Sequence, residues 1–243
     1  MKYHQVFIAA AALIPAGVAA QQQTAIPLKS EPHHQLVLHN ELVNVYSVQV
    51  PPRDTVQLHK HETDAIGIVL SNTEITVSSP GRPDSHQKVV DGQMRLQAAG
   101  YVHSTFVDGG NAYQNVTVEL LQPQESPRNL CAEVLAGKPL DCPKPEASAG
   151  AEVPEFETSQ TRITLIHIPA DQHATLETHG RRQLLVMLDE VSTVAPGKNS
   201  PTPLHPGDFL WRDADSVPEV FANDGSKEAR VVAFSFQIRK AAK

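Results

Sequence analysis

The chain has 243 residues, 40% of them hydrophobic, which is enough for one large β domain or two small ones. A net charge of −7 and the lack of any Lys/Arg cluster count against a nucleic-acid binder. Nineteen prolines spread along the chain count against a helical bundle, because each removes a backbone donor.

The chain opens with "MKYHQVFIAAAALIPAGVAA": a short basic start, an apolar stretch from Val6 to Val18, and small residues at its end. That pattern predicts a signal peptide over residues 1–20, cut near Ala20, and a soluble mature protein exported to the periplasm or beyond. The apolar stretch is short for a membrane span, Pro15 interrupts it, and no later segment approaches that length. Residues 21–35 are polar and read as an extended arm; His33, His34, His39 and His86, in arms or turns, read as surface residues.

From Leu36 onward, short β-rich runs alternate with turn signals. The runs are "LVNVYSVQV" (42–50), "TVQLHKH" (55–61), "AIGIVL" (65–70), "EITVS" (74–78), "QKVV" (87–90), "QMRLQ" (93–97) and "NVTVELLQ" (115–122). "SPGRPDS" and "DGGNA" mark turns between them. Residues 123–158 are rich in Pro, Ala and Glu and read as a linker, with a short helix expected around Ala132–Leu135. Cys131 and Cys142 lie in this segment, and in an oxidising compartment they predict one disulfide worth about 3 kcal/mol. The strand pattern then resumes with "TRITLIHI", "QLLVML", "DFLWRD", "VFAND" and "ARVVAFSFQ".

The halves repeat one another. "VPPRDTVQLHKHETDAIGIVL" (50–70) lies without gaps on "IPADQHATLETHGRRQLLVML" (168–188), at an offset of 118. "DGQMRL" meets "PGDFLW", and "VTVELLQ" meets "VVAFSFQ", both at an offset of 115. This predicts a duplicated all-β domain, each copy sized like a small barrel or sandwich of roughly 85–95 residues.

The candidate chemistry lies in "LHKHETD". On a strand, His59 and His61 share a face while Lys60 points away. Two imidazoles on one face are a common start to a metal site, and also a pattern that a solvent face tolerates. About forty residues later, "AAGYVHSTF" supplies His103 after a Gly turn. "HKH" followed by "GYVH", with Gly100 and His103 at G-x-x-H spacing, resembles the two motifs of the cupin superfamily, H-x-H and P-x-G-x-x-H. Ala98 stands where the motif has Pro. The resemblance covers roughly residues 36–122 and 160–238, and so describes a secreted bicupin of the quercetin-dioxygenase-like type.

The resemblance implies two tandem jelly-roll (double-stranded β-helix) barrels. The expected organisation is a leader at 1–20, a metal-binding barrel at 21–122, a disulfide-containing linker at 123–158 and a degenerate barrel at 159–243. His59, His61 and His103 are implied as ligands of one divalent transition metal: Fe, Mn, Zn, Ni or Cu. Ala65 takes the position of the family's usual Glu. Glu62 and Asp64 are the nearest candidates for a fourth ligand, but strict alternation turns both away unless a bulge re-aims one. Gln57 shares the face of the histidines, and Arg95, Tyr46 and Tyr101 are candidates for a substrate pocket, with packing or a surface position as the plain alternative.

In the second half, Glu177 aligns with His59, His179 with His61 and Pro218 with His103, with Glu219 one residue on. Glu177, His179 and Glu219 are the candidates for a second metal site; a structural barrel without one is the competing reading. The three-histidine set favours an oxygenase-like metalloenzyme acting on a small molecule over an isomerase or lyase. A non-catalytic small-molecule-binding or structural bicupin is the alternative, and a homo-oligomer fits either.

Overall fold

The computed structural model describes residues 24–143, 152–194 and 200–237, so the leader reading at 1–20 lies outside the described residues. The period-two runs of the first half become β1 (Ile26–Pro27), β2 (His34–His39), β3 (Val43–Val50), β4 (Thr55–Lys60), β5 (Asp64–Val69), β6 (Thr73–Ser78), β7 (Ser85–Val89), β8 (Met94–Gln97), β9 (Val102–Val107) and β10 (Tyr113–Leu120). The second half forms β11 (Arg128–Asn129), β12 (Glu152–Glu157), β13 (Thr161–Ile168), β14 (Gln172–Leu176), β15 (Arg182–Met187), β16 (Val191–Thr193), β17 (Thr202–Leu204), β18 (Phe209–Arg212), β19 (Glu219–Asn223) and β20 (Ala229–Phe236). Among the described residues no helix is long and apolar enough to cross a membrane.

Each half closes two sheets on one another. In the first, β1-β4-β9-β6-β7 faces β2-β3-β10-β5-β8; in the second, β14-β19-β16-β17 faces β11-β12-β13-β20-β15-β18. The largest apolar cluster lies between the barrels rather than inside either. Val43, Val45, Ile66, Ile68, Val116 and Val118 on the outer face of one sheet meet Ile163, Leu184, Val186, Val232 and Phe234 on the outer face of the other. Both faces of these strands are therefore buried, which is why β5 and β15 read as continuous apolar runs. Arg230 of the second barrel pins the seam: it donates to Asp189 at 2.7 Å and to Asp91 of the first barrel at 2.5 Å.

The interiors differ. That of the second barrel has an apolar core of Ile166, Leu185, Met187, Val231 and Phe221 packed together, with polar side chains only above it. In the first barrel the cross-strand register sets Asn44, Tyr46, Gly67, Arg95, Thr117 and Glu119 on one inward face.

Several expectations need correction. The stretch around Ala132–Leu135 forms bends and a turn, not a helix. Leu130 and Val134 are buried, and Leu96 N–H donates to the Val134 carbonyl at 3.0 Å, so apolar docking overrides helix propensity there. Within the segment read as linker, β11 and β12 pair with each other and β12 with β13. Cys131 and Cys142 do form the disulfide. The closing strands correspond at an offset of 116 rather than 115, since Tyr113 pairs with Val50 where Ala229 pairs with Ile168. At 115, Val116 of the inter-barrel seam would fall on Val231 of the second barrel's interior; a one-residue slip exchanges the faces of a strand.

Candidate metal centre

His59 is the last residue but one of β4 and His103 the second of β9, and the two pair directly across the sheet. His61 follows in the connection to β5, its N–H donating to Tyr101 O at 2.9 Å. Tyr101 in turn donates to Ala98 O at 3.0 Å, closing a turn in which Gly100 sits at φ +86°, a conformation that favours glycine. The G-x-x-H spacing is thus the turn that brings His103 beneath the first two histidines.

One nitrogen from each of His59, His61 and His103 lies within 4.8 Å of the others. All three residues are buried, at 1%, 1% and 6% exposure. His61 Nε2 and His103 Nε2 are 3.1 Å apart. His59 Nδ1 donates to the Gln57 carbonyl at 2.8 Å, leaving Nε2 as the nitrogen free to bind; it is buried without a partner, as is His61 Nδ1. Burial holds the His59 imidazole down at about 4 and the His61 imidazole at about 3, and pushes His103 well below its ordinary value. Three buried imidazoles held neutral, two of them with an unpartnered nitrogen, fit a divalent transition metal. They fit no unaided structural role as well, since buried polar atoms are otherwise paired.

The sequence pattern missed the support around this set. Val56 pairs with Thr105 and His59 with His103, so Gln57 and Leu58 together face Ser104: a β-bulge. The bulge turns Gln57 outward, so its side chain is exposed and does not line the site; its backbone carbonyl orients His59 instead. Glu31, with a fully buried carboxylate, accepts from Gln57 N–H at 3.1 Å, His33 N–H at 2.8 Å and His34 Nδ1 at 2.7 Å. Burial alone would raise its pKa; the hydrogen bonds outweigh that and hold it at about 2. His34 is not a surface residue but a buried one, its ring 5.0 Å from that of His59. The arm that carries both adds β1 alongside His59 and Lys60. A buried carboxylate flanked by two histidines was the available signal, hidden by a polar context that read as an arm.

The remaining candidates separate. Asp64 accepts from Ala99 N–H at 2.9 Å and Glu62 is exposed, and neither belongs to the histidine cluster. Tyr46 donates to Glu119 at 3.1 Å, and burial with the Glu119 charge raises its pKa. Tyr101 stacks on His103 with ring centres 4.6 Å apart. Arg95 is half-buried and shares the inward face with Tyr46 and Thr117.

The second barrel lacks both the three histidines and the bulge. Leu176 pairs with Glu219 in the way that His59 pairs with His103, with no register shift. Leu176 and Thr178 therefore take the inward positions, while Glu177 and His179 point out with side chains 58% and 65% exposed. Glu219 accepts from Thr193 at 2.8 Å and lies 3.9 Å from Arg212. Buried Arg212 donates to Gln183 and to the carbonyls of Leu176 and Val217, tying together the strands that ligands would come from. No second metal cluster exists among the described residues.

Two sandwiched barrels in one chain, one carrying three converging histidines, have the architecture of a bicupin fold. No protein-family model matches the sequence, and no curated protein sequence does. Solved structures do. AerE from Microcystis aeruginosa matches at a TM-score of 0.59 and 13% identity, covering 87% of this chain and 96% of its own. Salicylate 1,2-dioxygenase from Pseudaminobacter salicylatoxidans matches at 0.56 and 12% identity, covering 86% and 77%. Its gentisate adduct matches at 0.54 and 12%, covering 80% and 68%. At these identities the likeness is one of fold.

Proposed function

We propose that the first barrel binds one divalent transition metal through His59, His61 and His103 and acts as an oxygenase-like enzyme on a small molecule. The observation that carries this reading is the buried cluster of three neutral imidazoles with His59 Nε2 left without a partner. When bound, a redox-active metal would supply O2 activation, and a redox-inert one Lewis acidity. The chain's own residues supply the rest. The Gln57 carbonyl fixes the His59 tautomer. A side chain added at Gly67 would meet nothing within 4 Å, so the inward face is open beside Arg95 and Thr117. Arg95 there is a candidate to orient an anionic substrate. The fold shared with a salicylate 1,2-dioxygenase supports a small aromatic acid as the first substrate to try. Export belongs to the same reading, supported by the Cys131–Cys142 disulfide.

The test is elemental analysis of the untagged mature protein beside a His59→Ala/His61→Ala double variant. Near-stoichiometric metal in the first and none in the second is expected, followed by O2 uptake with substrate. No metal in either, after anaerobic loading with Fe, Mn, Ni, Cu and Zn, would overturn the reading.

A further inference from the structure

The second barrel has lost the histidines and kept an interior. A cavity of about 290 Å³ opens there, small by the standard of ligand pockets. Its floor is apolar, made by Ile166, Leu185 and Ala233 of the barrel core. Above the floor, Arg162, Ser235 and Gln183 stand side by side across three paired strands, next to Thr164. Arg181 joins them at the mouth.

The polar groups are unevenly satisfied. Ser235 Oγ accepts from Gln183 at 3.3 Å, and its own O–H finds no acceptor among the described residues. The Thr164 hydroxyl and the Arg181 guanidinium likewise have no partner among the described residues. Arg162 reaches only Glu157, at 3.9 Å. On the opposing side, Glu177, 3.9 Å from His179, and Glu152 are carboxylates of the exposed rim. Two guanidinium groups and two hydroxyl donors, with both carboxylates, Glu152 and Glu177, on the exposed rim, favour an acceptor-rich ligand. The apolar floor asks that the rest of the ligand be hydrophobic and compact.

We propose that the second barrel is a metal-independent binding site for a small carboxylate with a compact apolar body. The carboxylate meets Arg162, Arg181, Ser235 and Thr164, and the body lies on Ile166, Leu185 and Ala233. This site is separate from the metal centre and does not depend on it.

Isothermal titration calorimetry on the intact, chelator-stripped protein tests this, with benzoate and hexanoate as probes and benzyl alcohol and 1-hexanol as their neutral counterparts. The carboxylates should bind at least about tenfold more tightly than the alcohols. Arg162→Ala and Arg181→Ala should each weaken binding about fivefold, and Ala233→Leu, which fills the cavity, should abolish it. The His59→Ala/His61→Ala variant should bind as the wild type does. The proposal is overturned if neither carboxylate binds at millimolar concentration, or if the alcohols bind equally well. It is also overturned if both arginine variants bind like wild type, a result independent of whether Ala233→Leu folds. Loss of binding in the histidine variant alone would place the ligand in the first barrel and overturn it too.

Discussion

Glu31 and His34 are joined at 2.7 Å, carboxylate to Nδ1, in a pocket where the carboxylate has no exposed surface. Through Gln57 N–H the same carboxylate holds the bulge whose carbonyl orients His59. Groups that orient a ligand are typically worth about 10–100-fold in metal affinity. Glu31→Gln should therefore weaken metal binding by about tenfold while the circular dichroism spectrum stays native. A competitive chelator titration measures the first; equal affinity would show that Glu31 serves the arm alone.

The pH dependence of the metal-free protein has a definite sign. His59, His61 and His103 are neutral in the fold and have folded pKa values below the ordinary 6.5, so the unfolded chain binds protons first. Their stabilising contribution is complete above about pH 6.5 and is lost as pH falls, toward about 4 for His59 and about 3 for His61, on the order of 1 kcal/mol per imidazole per pH unit. Glu31 adds to the loss below about 4.5, its unfolded value, as the pH approaches 2. His33, raised by Glu31 and Asp54 against its burial, works in the opposite direction but is one group against three. Urea midpoints between pH 7.5 and 4.5 should fall steadily, and more shallowly in the His59→Ala/His61→Ala variant.

Arg230 is the clamp between the barrels. Arg230→Met removes its bonds to Asp91 and Asp189 and leaves two half-buried carboxylates near one another. With about a quarter of the side chain exposed, solvent screening keeps the cost to about 1–2 kcal/mol. Gly92 should be as sensitive, because its φ is +81° and an added Cβ would lie 2.8 Å from Arg230 Nη1. Thermal unfolding of Arg230→Met and Gly92→Ala reads both; a change within error for both would remove the clamp from the account.

Gly67 marks the room in the first barrel. Gly67→Ala should leave metal content and stability within about 0.5 kcal/mol of wild type, since its Cβ meets nothing. Gly67→Phe should keep the metal and lose turnover, because the ring would project beside Arg95 and Thr117. Elemental analysis together with O2 uptake separates the two effects, and full turnover in Gly67→Phe would move the substrate elsewhere.

The sequence alone determined the all-β duplicated architecture, the disulfide partners and the three histidines. Those features depend on local period, turn chemistry and short motifs, which one strand or one turn carries by itself. The tertiary structure decided what depends on pairing between strands far apart in sequence. The bulge opposite Ser104 broke the alternation that had set Gln57 beside His59. Its absence from β14 turned Glu177 and His179 to solvent and Leu176 inward, although they align without gaps on the ligand run. Glu31 and His34 joined the surroundings of the three-histidine cluster only when the arm was laid along β4. An inserted residue shifts every later side chain to the opposite face. No local pattern records where such an insertion falls; the partner strand does.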